Sequence, residues 1–354
     1  MIKVLIVDDS AVVRKVLSDE LSRFHDIQVV GTAIDPYVAR EKIVELEPDV
    51  ITLDLEMPRM DGLTFLDKLM RSKPIPVIVV SSVAQQSSAA AIRALSLGAV
   101  AVVPKPGSQF STPDVANDLV RAIRAASTAK VGRRTEAPSA PASIAGLSTT
   151  DKIIAIGAST GGTVAVEHML REMPAASPGI LIAQHFPPGF SAAFAEQLDK
   201  VCAVEVREAT NGCELVPGLA LVAPGDKHML LERSGSRHSV RIKDGPRVHY
   251  QRPSVDVLFE SVARKSGPNA IGVLLTGMGE DGARGLLQMR EAGAHTIAQD
   301  EATSVVYGMP RAAADLGAAV AILPLQNIAR ATLAALGTAT PLGLTTPAGT
   351  RSRS

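Results

Sequence analysis

The chain has 354 residues, 46% hydrophobic and 20% charged, which is enough for two domains with apolar cores. Its 36 basic residues balance 36 acidic residues, and aromatic residues make up only 3% with no tryptophan, so the composition gives no support for a nucleic-acid partner. No apolar run has the length of a membrane span or of a signal-peptide core, so we expect a cytoplasmic protein without direct membrane insertion.

Short β-rich runs alternate with helical segments through residues 1–125. In chain order the predicted strands and helices are Lys3–Val7, Ala11–Phe24, Val29–Ala33, Val38–Glu45, Val50–Asp54, Leu63–Arg71, Pro76–Val80, Ala89–Leu97, Ala101–Val103 and Asp114–Ala126. This alternation predicts an α/β domain with a parallel sheet covered on both faces. Ligands of such sheets bind beyond the carboxyl ends of the strands.

Polar residues stand at those strand ends. Asp8 and Asp9 follow the first strand, Asp54 ends the third, Ser81 follows the fourth and Lys105 follows the fifth. Carboxylates gathered at one edge repel one another unless a cation lies among them, and oxygen ligands without His or Cys favour Mg²⁺. A carboxylate beside that ion, with a lysine and a hydroxyl to hold phosphate oxygens, can become an acyl phosphate. Solvated loop acids are the poorer interpretation.

Three motifs in this region resemble those of two-component receiver domains, which have a flavodoxin-like fold. They are Val7–Ser10, Leu53–Gly62 and Pro104–Pro106. The resemblance implies that Asp54 is the phosphoacceptor and that Asp8, Asp9, Asp54 and the Glu56 backbone carbonyl hold Mg²⁺.

The same resemblance implies that Ser81 and Lys105 sense the phosphoryl group. It also implies a cis Lys105–Pro106 peptide bond. One position departs from the receiver pattern, because Val102 stands where receivers usually carry an aromatic residue. The aromatic rotation that forms part of their switch is therefore in question here.

Residues 126–150 are rich in Ala, Pro and Ser and lack apolar periodicity. This composition is typical of a flexible or semi-extended linker. We therefore expect the two flanking domains to dock and separate.

A second domain begins with the apolar run Ile153–Ile156, which leads into Gly157-Ala-Ser-Thr-Gly-Gly162 and a segment with helical spacing. This pattern predicts a strand, a tight turn and a helix, with Ser159 just before the helix N-terminus, where backbone N–H groups can bind an oxyanion. A glycine-rich connection without function is one alternative. A dinucleotide or P-loop is another, but the glycine spacing differs and no Lys follows.

Two further apolar strands are followed by a histidine and an aspartate that, with Ser159, make up the Ser, His and Asp of a hydrolase. Gly179–Ala183 ends before His185, and Ala270–Leu275 leads to Asp281. Because parallel strands end at one edge, Ser159, His185 and Asp281 are predicted to meet there. Their chain order differs from that of α/β-hydrolases, so the motif around Ser159 does not indicate that fold.

Other residues compete for the roles of base and acid. His228 is the strongest rival to His185, although it precedes an apolar run rather than following one. The rival acids are Asp226, Asp256 and Asp300. Asp256 lies at a predicted helix start, where an acid is usually a cap or a first-turn charge.

The second domain resembles the catalytic domain of the CheB family, the chemotaxis protein-glutamate methylesterases. The motifs are Ile156–Gly162, Gln184–Phe190, Ala223–His228, Arg252–Phe259, Leu275–Gly282 and Tyr307–Pro310. The tail at 341–354 is rich in Thr, Pro, Gly and Arg-Ser, a composition that predicts disorder. The resemblance implies a receiver domain at 1–125 and a doubly wound parallel-sheet methylesterase domain at 151–340, on either side of the linker at 126–150. It also implies chemoreceptors as substrates and a chemotaxis histidine kinase as phosphodonor.

The implied chemistry is a serine hydrolase mechanism that requires no cofactor for the esterase step. Ser159 would attack the γ-carbonyl of a methylated glutamate, His185 would accept its proton, and Asp281 would orient His185. The backbone N–H groups of Thr160 and Met278 are candidates for the oxyanion hole. Receptor glutamines would be deamidated by the same acyl chemistry. We further expect the unphosphorylated receiver to cover the crevice around Ser159 until Asp54 is phosphorylated.

A different class of function is a phosphorylation-controlled docking module with a vestigial hydrolase site. The intact Ser159, His185 and Asp281 argue against it. Titration with a serine-directed acylating reagent distinguishes the two. A transcription factor is less favoured, since no basic recognition helix is present in the sequence.

Overall fold

A computed structural model describes residues 1–82, 84–105, 112–132 and 152–337. The predicted cis Lys105–Pro106 bond, most of the predicted linker and the predicted tail lie outside these residues.

The N-terminal domain is a five-stranded parallel sheet in the order β2-β1-β3-β4-β5. Its strands are β1 (Ile2–Val7), β2 (Ile27–Ala33), β3 (Val50–Leu53), β4 (Val77–Ser81) and β5 (Ala101–Pro104). Its helices are α1 (Ala11–Leu21), α2 (Pro36–Leu46), α3 (Gly62–Ser72), α4 (Gln85–Ser96) and α5 (Thr112–Ser127). All ten predicted elements are present, and the α/β prediction is confirmed.

Local sequence signals start the helices of this domain. Asp35 caps α2 by accepting from the backbone N–H groups of Tyr37 and Val38, and Pro36 occupies the first turn. Asp61 caps α3 in the same way. Side-chain oxygens at these positions satisfy N–H groups that have no partner within the helix.

The C-terminal domain is built on a seven-stranded sheet in the order β15-β14-β13-β6-β7-β10-β8. Its strands are β6 (Ile153–Ala158), β7 (Gly179–Gln184), β8 (Glu205–Glu208), β10 (Leu219–Val222), β13 (Ala270–Leu274), β14 (His295–Gln299) and β15 (Ala321–Leu323). Its helices are α6 (Gly162–Arg171), α7 (Ser191–Asp199), α8 (Val255–Ser266), α9 (Ala283–Glu291), α10 (Met309–Asp315) and α11 (Leu325–Gly337), with a short 3-10 turn at Gly267–Asn269.

Parallel pairing places the central strand β6 between β13 and β7. Every residue of β6, β7 and β13 is buried. Continuous apolar strands are typical of a sheet covered by helices on both faces. The turns that follow these three strands therefore meet at one edge of the sheet.

A small antiparallel sheet adds to the parallel one and was not part of the prediction. It consists of β9 (Glu214–Leu215), β11 (His228–Ser234) and β12 (Arg237–Lys243), in the order β11-β12-β9. Its buried side chains, such as Met229 and Leu231, join the apolar cluster that contains Leu258 and Phe259 of α8. This packing fixes the start of α8 relative to the large sheet.

The two domains are docked against each other. Helix α4 packs on α6 and α7, and the Gln197 side-chain amide donates to the Ser96 hydroxyl (2.8 Å). The Lys130 N–H, just after α5, donates to the Val305 carbonyl (3.0 Å). Ile92 of the N-terminal domain and Val166 of the C-terminal domain belong to one apolar cluster.

Candidate active site

Ser159 lies in the turn between β6 and α6. Its N–H donates to the Thr276 carbonyl (3.0 Å), and its carbonyl accepts from the Gln184 amide (2.9 Å) and the Gly162 N–H (2.7 Å). Gly161 has φ of 77°, a left-handed conformation that glycine adopts without steric cost. These bonds fix the serine backbone against both neighbouring strand ends.

Gly277 allows the loop after β13 to approach this turn. A Cβ at Gly277 would lie 2.7 Å from Ser159 Cβ and would also collide with Met309 Sδ. The Gly277 carbonyl accepts from the Gly308 N–H (3.1 Å) and the Met309 N–H (2.8 Å), so the loop is held in place. The missing side chain therefore makes room for Ser159.

His185 follows β7 and pairs with Asp281. Its Nε2 lies 2.8 Å from Asp281 Oδ2, with side-chain exposures of 5% and 2%. Its backbone N–H donates to the Ala158 carbonyl (3.1 Å), which ties the histidine to the end of β6. Its Nδ1 is buried without a hydrogen-bond partner among the described residues. The ring therefore has one nitrogen on the acid and one available to a substrate or to Ser159.

Asp281 is held by the start of α8. Its Oδ1 accepts from the Ser254 hydroxyl (2.8 Å) and the Asp256 N–H (3.1 Å), and its Oδ2 accepts from the Val255 N–H (2.8 Å) and from His185. Burial raises the pKa of Asp281, but the His185 hydrogen bond and charge and the two backbone N–H groups outweigh it, so the net pKa is lowered. The carboxylate is therefore an anion in a buried position.

Ser159 and His185 line the same crevice, with a volume of about 440 Å³. Thr160 and Met278, the predicted oxyanion residues, line it as well. Among the described residues, neither of their backbone N–H groups donates to a protein acceptor. The structure thus brings five predicted residues of the catalytic domain, Ser159, Thr160, His185, Met278 and Asp281, to one edge of the sheet.

The rival residues have other partners. His228 is buried, where its Nδ1 accepts from the Ser254 N–H (3.2 Å) and its Nε2 pairs with the Pro246 carbonyl (2.9 Å). Asp226 binds the Arg252 guanidinium (2.7 Å). Asp300 accepts from the Thr303 N–H and hydroxyl. Asp256 lies in the first turn of α8, as its sequence indicates.

Sequence reasoning missed Ser254 and Gln184 as supporting residues. Ser254 caps α8 by accepting from the Val257 N–H and donates to Asp281. Gln184 donates to the carbonyls of Ser159 (2.9 Å) and His185 (3.3 Å). The predicted helix start at Ser254 was visible in the sequence, but no pattern shows which carboxylate faces it.

A second site lies at the carboxyl edge of the receiver sheet. One carboxylate oxygen from each of Asp8, Asp9 and Asp54 lies within 4.8 Å of the others. Lys105 Nζ lies 2.7 Å from Asp54 Oδ2 and 3.1 Å from Asp8 Oδ2. Glu56 is adjacent, since its N–H donates to Asp54 (3.3 Å). A group of oxygen donors of this kind, with Asp8 and Asp54 buried and Asp9 exposed, fits a hard divalent cation.

Burial raises the pKa of Asp54, and the Lys105 hydrogen bond and charge offset this only in part. Burial lowers the pKa of Lys105, but Asp54 and Asp8 outweigh it, so the net pKa is raised. Ser81 is buried at the end of β4 and accepts the Lys105 N–H at its carbonyl (2.9 Å). Val102 is buried and lines the crevice that contains Ser159, so the non-aromatic position faces the domain interface.

The receiver domain covers part of this crevice. Residues of β5 and α5 line it together with Ser159 and His185. The Arg121 guanidinium lies 5.3 Å from the centre of the Tyr250 ring, and Arg247 lies 3.7 Å from Asp118. Helix α5 therefore contacts the loop of Arg247 and Tyr250, which lines the same crevice as Ser159 and His185.

Among the helices in the described part of the chain, none is long and apolar enough to span a bilayer.

The chain matches two family models. Residues 154–332 match "CheB methylesterase", and residues 4–112 match "Response regulator receiver domain".

Curated proteins match over most of the chain. One from Syntrophus aciditrophicus, named protein-glutamate methylesterase/protein-glutamine glutaminase 2, is 55% identical over 93% of this chain and 97% of its own length. One from Escherichia coli, named protein-glutamate methylesterase/protein-glutamine glutaminase, is 49% identical over 94% of this chain and 96% of its own length.

A solved structure matches the C-terminal domain. The crystal structure of the Thermotoga maritima CheB methylesterase catalytic domain has a TM-score of 0.51 and 34% identity, and the match covers 52% of this chain and 97% of that one.

Proposed function

The chain belongs to the CheB methylesterase family, and we propose that Ser159, His185 and Asp281 carry out its reaction. The protein is a protein-glutamate methylesterase and glutaminase with a receiver domain. The observation that supports this assignment is the buried His185–Asp281 pair. The pair leaves Nδ1 of His185 without a hydrogen-bond partner among the described residues. His185 and Ser159 line the same crevice.

In the first half of the reaction, Ser159 Oγ attacks the γ-carbonyl of a glutamate methyl ester and its proton passes to Nδ1 of His185. Asp281 accepts the Nε2–H and stabilises the imidazolium through its negative charge. Collapse of the tetrahedral intermediate breaks the ester C–O bond, and the proton on Nδ1 moves to the leaving oxygen. Methanol departs, and an acyl-enzyme remains.

In the second half, a water molecule gives a proton to Nδ1 and attacks the acyl carbon. The Ser159 Oγ–acyl bond then breaks, Ser159 regains the proton, and a glutamate carboxylate is released. A glutamine substrate follows the same steps with ammonia as the first leaving group. The N–H groups of Thr160 and Met278 are proposed to stabilise the oxyanion, a contribution of about 3 kcal/mol per donor in comparable sites.

We propose chemotaxis receptors as the substrates and a chemotaxis histidine kinase as the phosphodonor, with the reaction taking place in the cytoplasm. Asp8, Asp9, Asp54 and the Glu56 carbonyl would hold Mg²⁺, which neutralises phosphoryl oxygens when bound. Lys105 and Ser81 would bind the phosphoryl group on Asp54. The Lys105 ion pairs with Asp54 and Asp8 support this assignment.

Phosphorylation is proposed to act by releasing the receiver from the crevice. The contact of α5 with the loop that carries Tyr250 supports this model, because α5 and β5 line the crevice that a methylated glutamate side chain must enter to reach Ser159. A new phosphoryl group beside Lys105 would change the ion pairs at the end of β5 and shift the population toward the open form.

The decisive assay is methanol release from methylated receptor membranes, with and without a small-molecule phosphodonor and Mg²⁺. We expect stimulation in the wild type and none in Asp54→Asn. A chain beginning at Thr149 should be faster than the unphosphorylated full-length protein. Equal rates would exclude inhibition by coverage while leaving the esterase assignment intact.

A further inference from the structure

A second buried carboxylate lies beside Asp281. Asp256 is 3% exposed and Asp281 is 1% exposed, and an oxygen from each lies within 4.8 Å of the other and of a ring nitrogen of His249. Two carboxylates at this distance in a buried site oppose each other's ionisation. The reaction needs Asp281 as the anion, and a negative charge on Asp256 opposes this unless another group compensates it.

His249 is the basic side chain that faces this pair. Its Nε2 lies 3.2 Å from Asp256 Oδ2, and its Nδ1 lies 3.3 Å from Glu280 Oε1. A neutral imidazole has one N–H donor, whereas an imidazolium has two. A ring nitrogen lies near each carboxylate, so a protonated His249 would place its positive charge between them.

The backbone at His249 is strained in a way that maintains these contacts. His249 and Tyr250 have φ of 48° and 64°, and the N–H and carbonyl groups of Val248 and Gln251 bond to each other (3.0 and 2.8 Å). A turn with two central residues in the left-handed conformation usually has Asn and Gly at these positions. Other residues adopt this conformation at a cost in free energy. Strain of this kind persists where surrounding contacts require it, and often lies at functional sites. Here His249 contacts the buried acid and Tyr250 contacts Arg121 of the receiver.

A cation site is a poorer interpretation of the same residues. Both oxygens of Asp281 already accept two hydrogen bonds each, from Ser254 and Asp256 and from Val255 and His185. Asp256 Oδ1 accepts from the Gly285 N–H (2.7 Å). Few lone pairs remain for a metal ion.

We propose that His249 is a positioning residue for the esterase reaction: its imidazolium neutralises Asp256, so that Asp281 stays ionised and keeps His185 in the tautomer that accepts the Ser159 proton. The inference rests on the proposed catalytic roles of Ser159, His185 and Asp281. Burial raises the pKa of Asp256, the Gly285 N–H and the His249 charge lower it, and the charge of Asp281 adds to the rise. The charged groups around His249 are Asp256 from α8 and Glu280 from the loop before α9, and those around Asp281 are His185 and Asp256.

The test is the pH dependence of methanol release by the full-length protein in His249→Gln, Asp256→Asn and the double variant. Without the imidazolium, Asp256 and Asp281 hold a shared proton to higher pH, and the acid-side midpoint of the profile should rise by roughly one pH unit. Asp256→Asn removes the charge that His249 compensates. The double variant should therefore have the midpoint of Asp256→Asn alone.

Glu280→Gln is the matched control, because Glu280 contacts the same ring but is 62% exposed and screened by solvent. Its midpoint should shift less than that of His249→Gln. An unchanged midpoint in His249→Gln, or an equal shift with and without Asp256, overturns the inference. Methanol release by the wild type in the same assay tests the proposed function by itself, whatever the variants show about His249.

If His249→Gln does not fold, nitrogen-15 NMR of the wild-type ring decides the question. The His249 signals are identified by assigning the other histidines. We expect protons on both ring nitrogens at the pH of maximum activity. A neutral ring there overturns the proposal.

Discussion

Nε2 of His185 lies 2.8 Å from Asp281 Oδ2, and this contact assigns the two ring nitrogens to different tasks. Asp281 accepts from the Val255 and Asp256 N–H groups at the start of α8, so its position is set by a helix and not by a loop alone. Nδ1 has no hydrogen-bond partner among the described residues, and in the proposed mechanism it accepts the Ser159 proton. The backbone N–H groups at the start of α8 therefore help to position Asp281, and through it His185.

Replacement of Ser159 tests the nucleophile. Ser159→Ala should lower methanol release by at least about a thousandfold, because the acyl-enzyme cannot form. Thermal unfolding should be nearly unchanged, since Ser159 is held by hydrogen bonds of its backbone, which the substitution retains. Ser236→Ala, an exposed change in the β11–β12 turn, is the control. Substantial activity in Ser159→Ala would exclude the serine mechanism.

A methyl group at Gly277 tests the position of Ser159. Gly277→Ala should reduce methanol release by about a hundredfold, because its Cβ would displace Ser159 Cβ, 2.7 Å away, from its reactive geometry. Gly337→Ala, where a Cβ has no neighbour within 4 Å, should match the wild type. The measurement is kcat with the fold checked by circular dichroism. Full activity in Gly277→Ala would contradict the packing described here.

We expect the ionised Asp54 carboxylate to lower the free energy of unfolding of the receiver at neutral pH. Because its folded pKa is raised, the folded state binds a proton more readily than the unfolded chain, whose value is about 3.9. The free energy of unfolding therefore falls as pH rises from about 4 through the folded pKa. Asp54→Asn removes this loss.

The measurement is denaturant unfolding without Mg²⁺ at pH 7 and pH 4. Asp54→Asn should be more stable than the wild type at pH 7, and the difference should shrink toward pH 4. Asp9→Asn, a change of an exposed carboxylate in the same cluster, should have a smaller effect. A less stable Asp54→Asn at pH 7 would show that Lys105 more than compensates for burial.

Substitutions of two arginines of α5 distinguish a contact between the domains from a contact within the receiver. Arg121→Ala removes the contact with Tyr250, worth about 0.5–1 kcal/mol at an exposed site, so docking should weaken about two- to fivefold and basal methanol release should rise by up to that factor. Arg124→Ala breaks a pair with Asp26 (2.7 and 2.9 Å) and a contact with the Phe24 ring, both inside the receiver, and should leave the basal rate unchanged. Equal basal rates in both variants would show that the Tyr250 contact does not hold the receiver in place.

The strands and the residues at their ends follow from local sequence. Runs such as Ile153–Ile156 are apolar without alternation, which already requires burial on both faces and hence a parallel sheet. Once strands are parallel, their carboxyl ends share an edge, and Ser159, His185 and Asp281 can be placed there without coordinates. The receiver residues Asp8, Asp54 and Lys105 follow by the same rule.

The small antiparallel sheet illustrates where local pattern is weak. Strands β11 and β12 are half-exposed, with polar and charged residues on one side, so their sequences resemble those of loops. Their partners are set by packing of Met229 and Leu231 on α8. That packing depends on residues far along the chain, which no short window of sequence contains.

The sequence by itself determined the two α/β domains, their order and the set of residues at each sheet edge, because periodicity and strand polarity are local properties. Only the tertiary structure decided which nitrogen of His185 faces Asp281, that Ser254 and the N–H groups of α8 hold that acid, that His249 lies against Asp256, and that α5 lies over the crevice. Each of these depends on side-chain directions and distances between segments widely separated in the chain, which packing of the whole molecule sets.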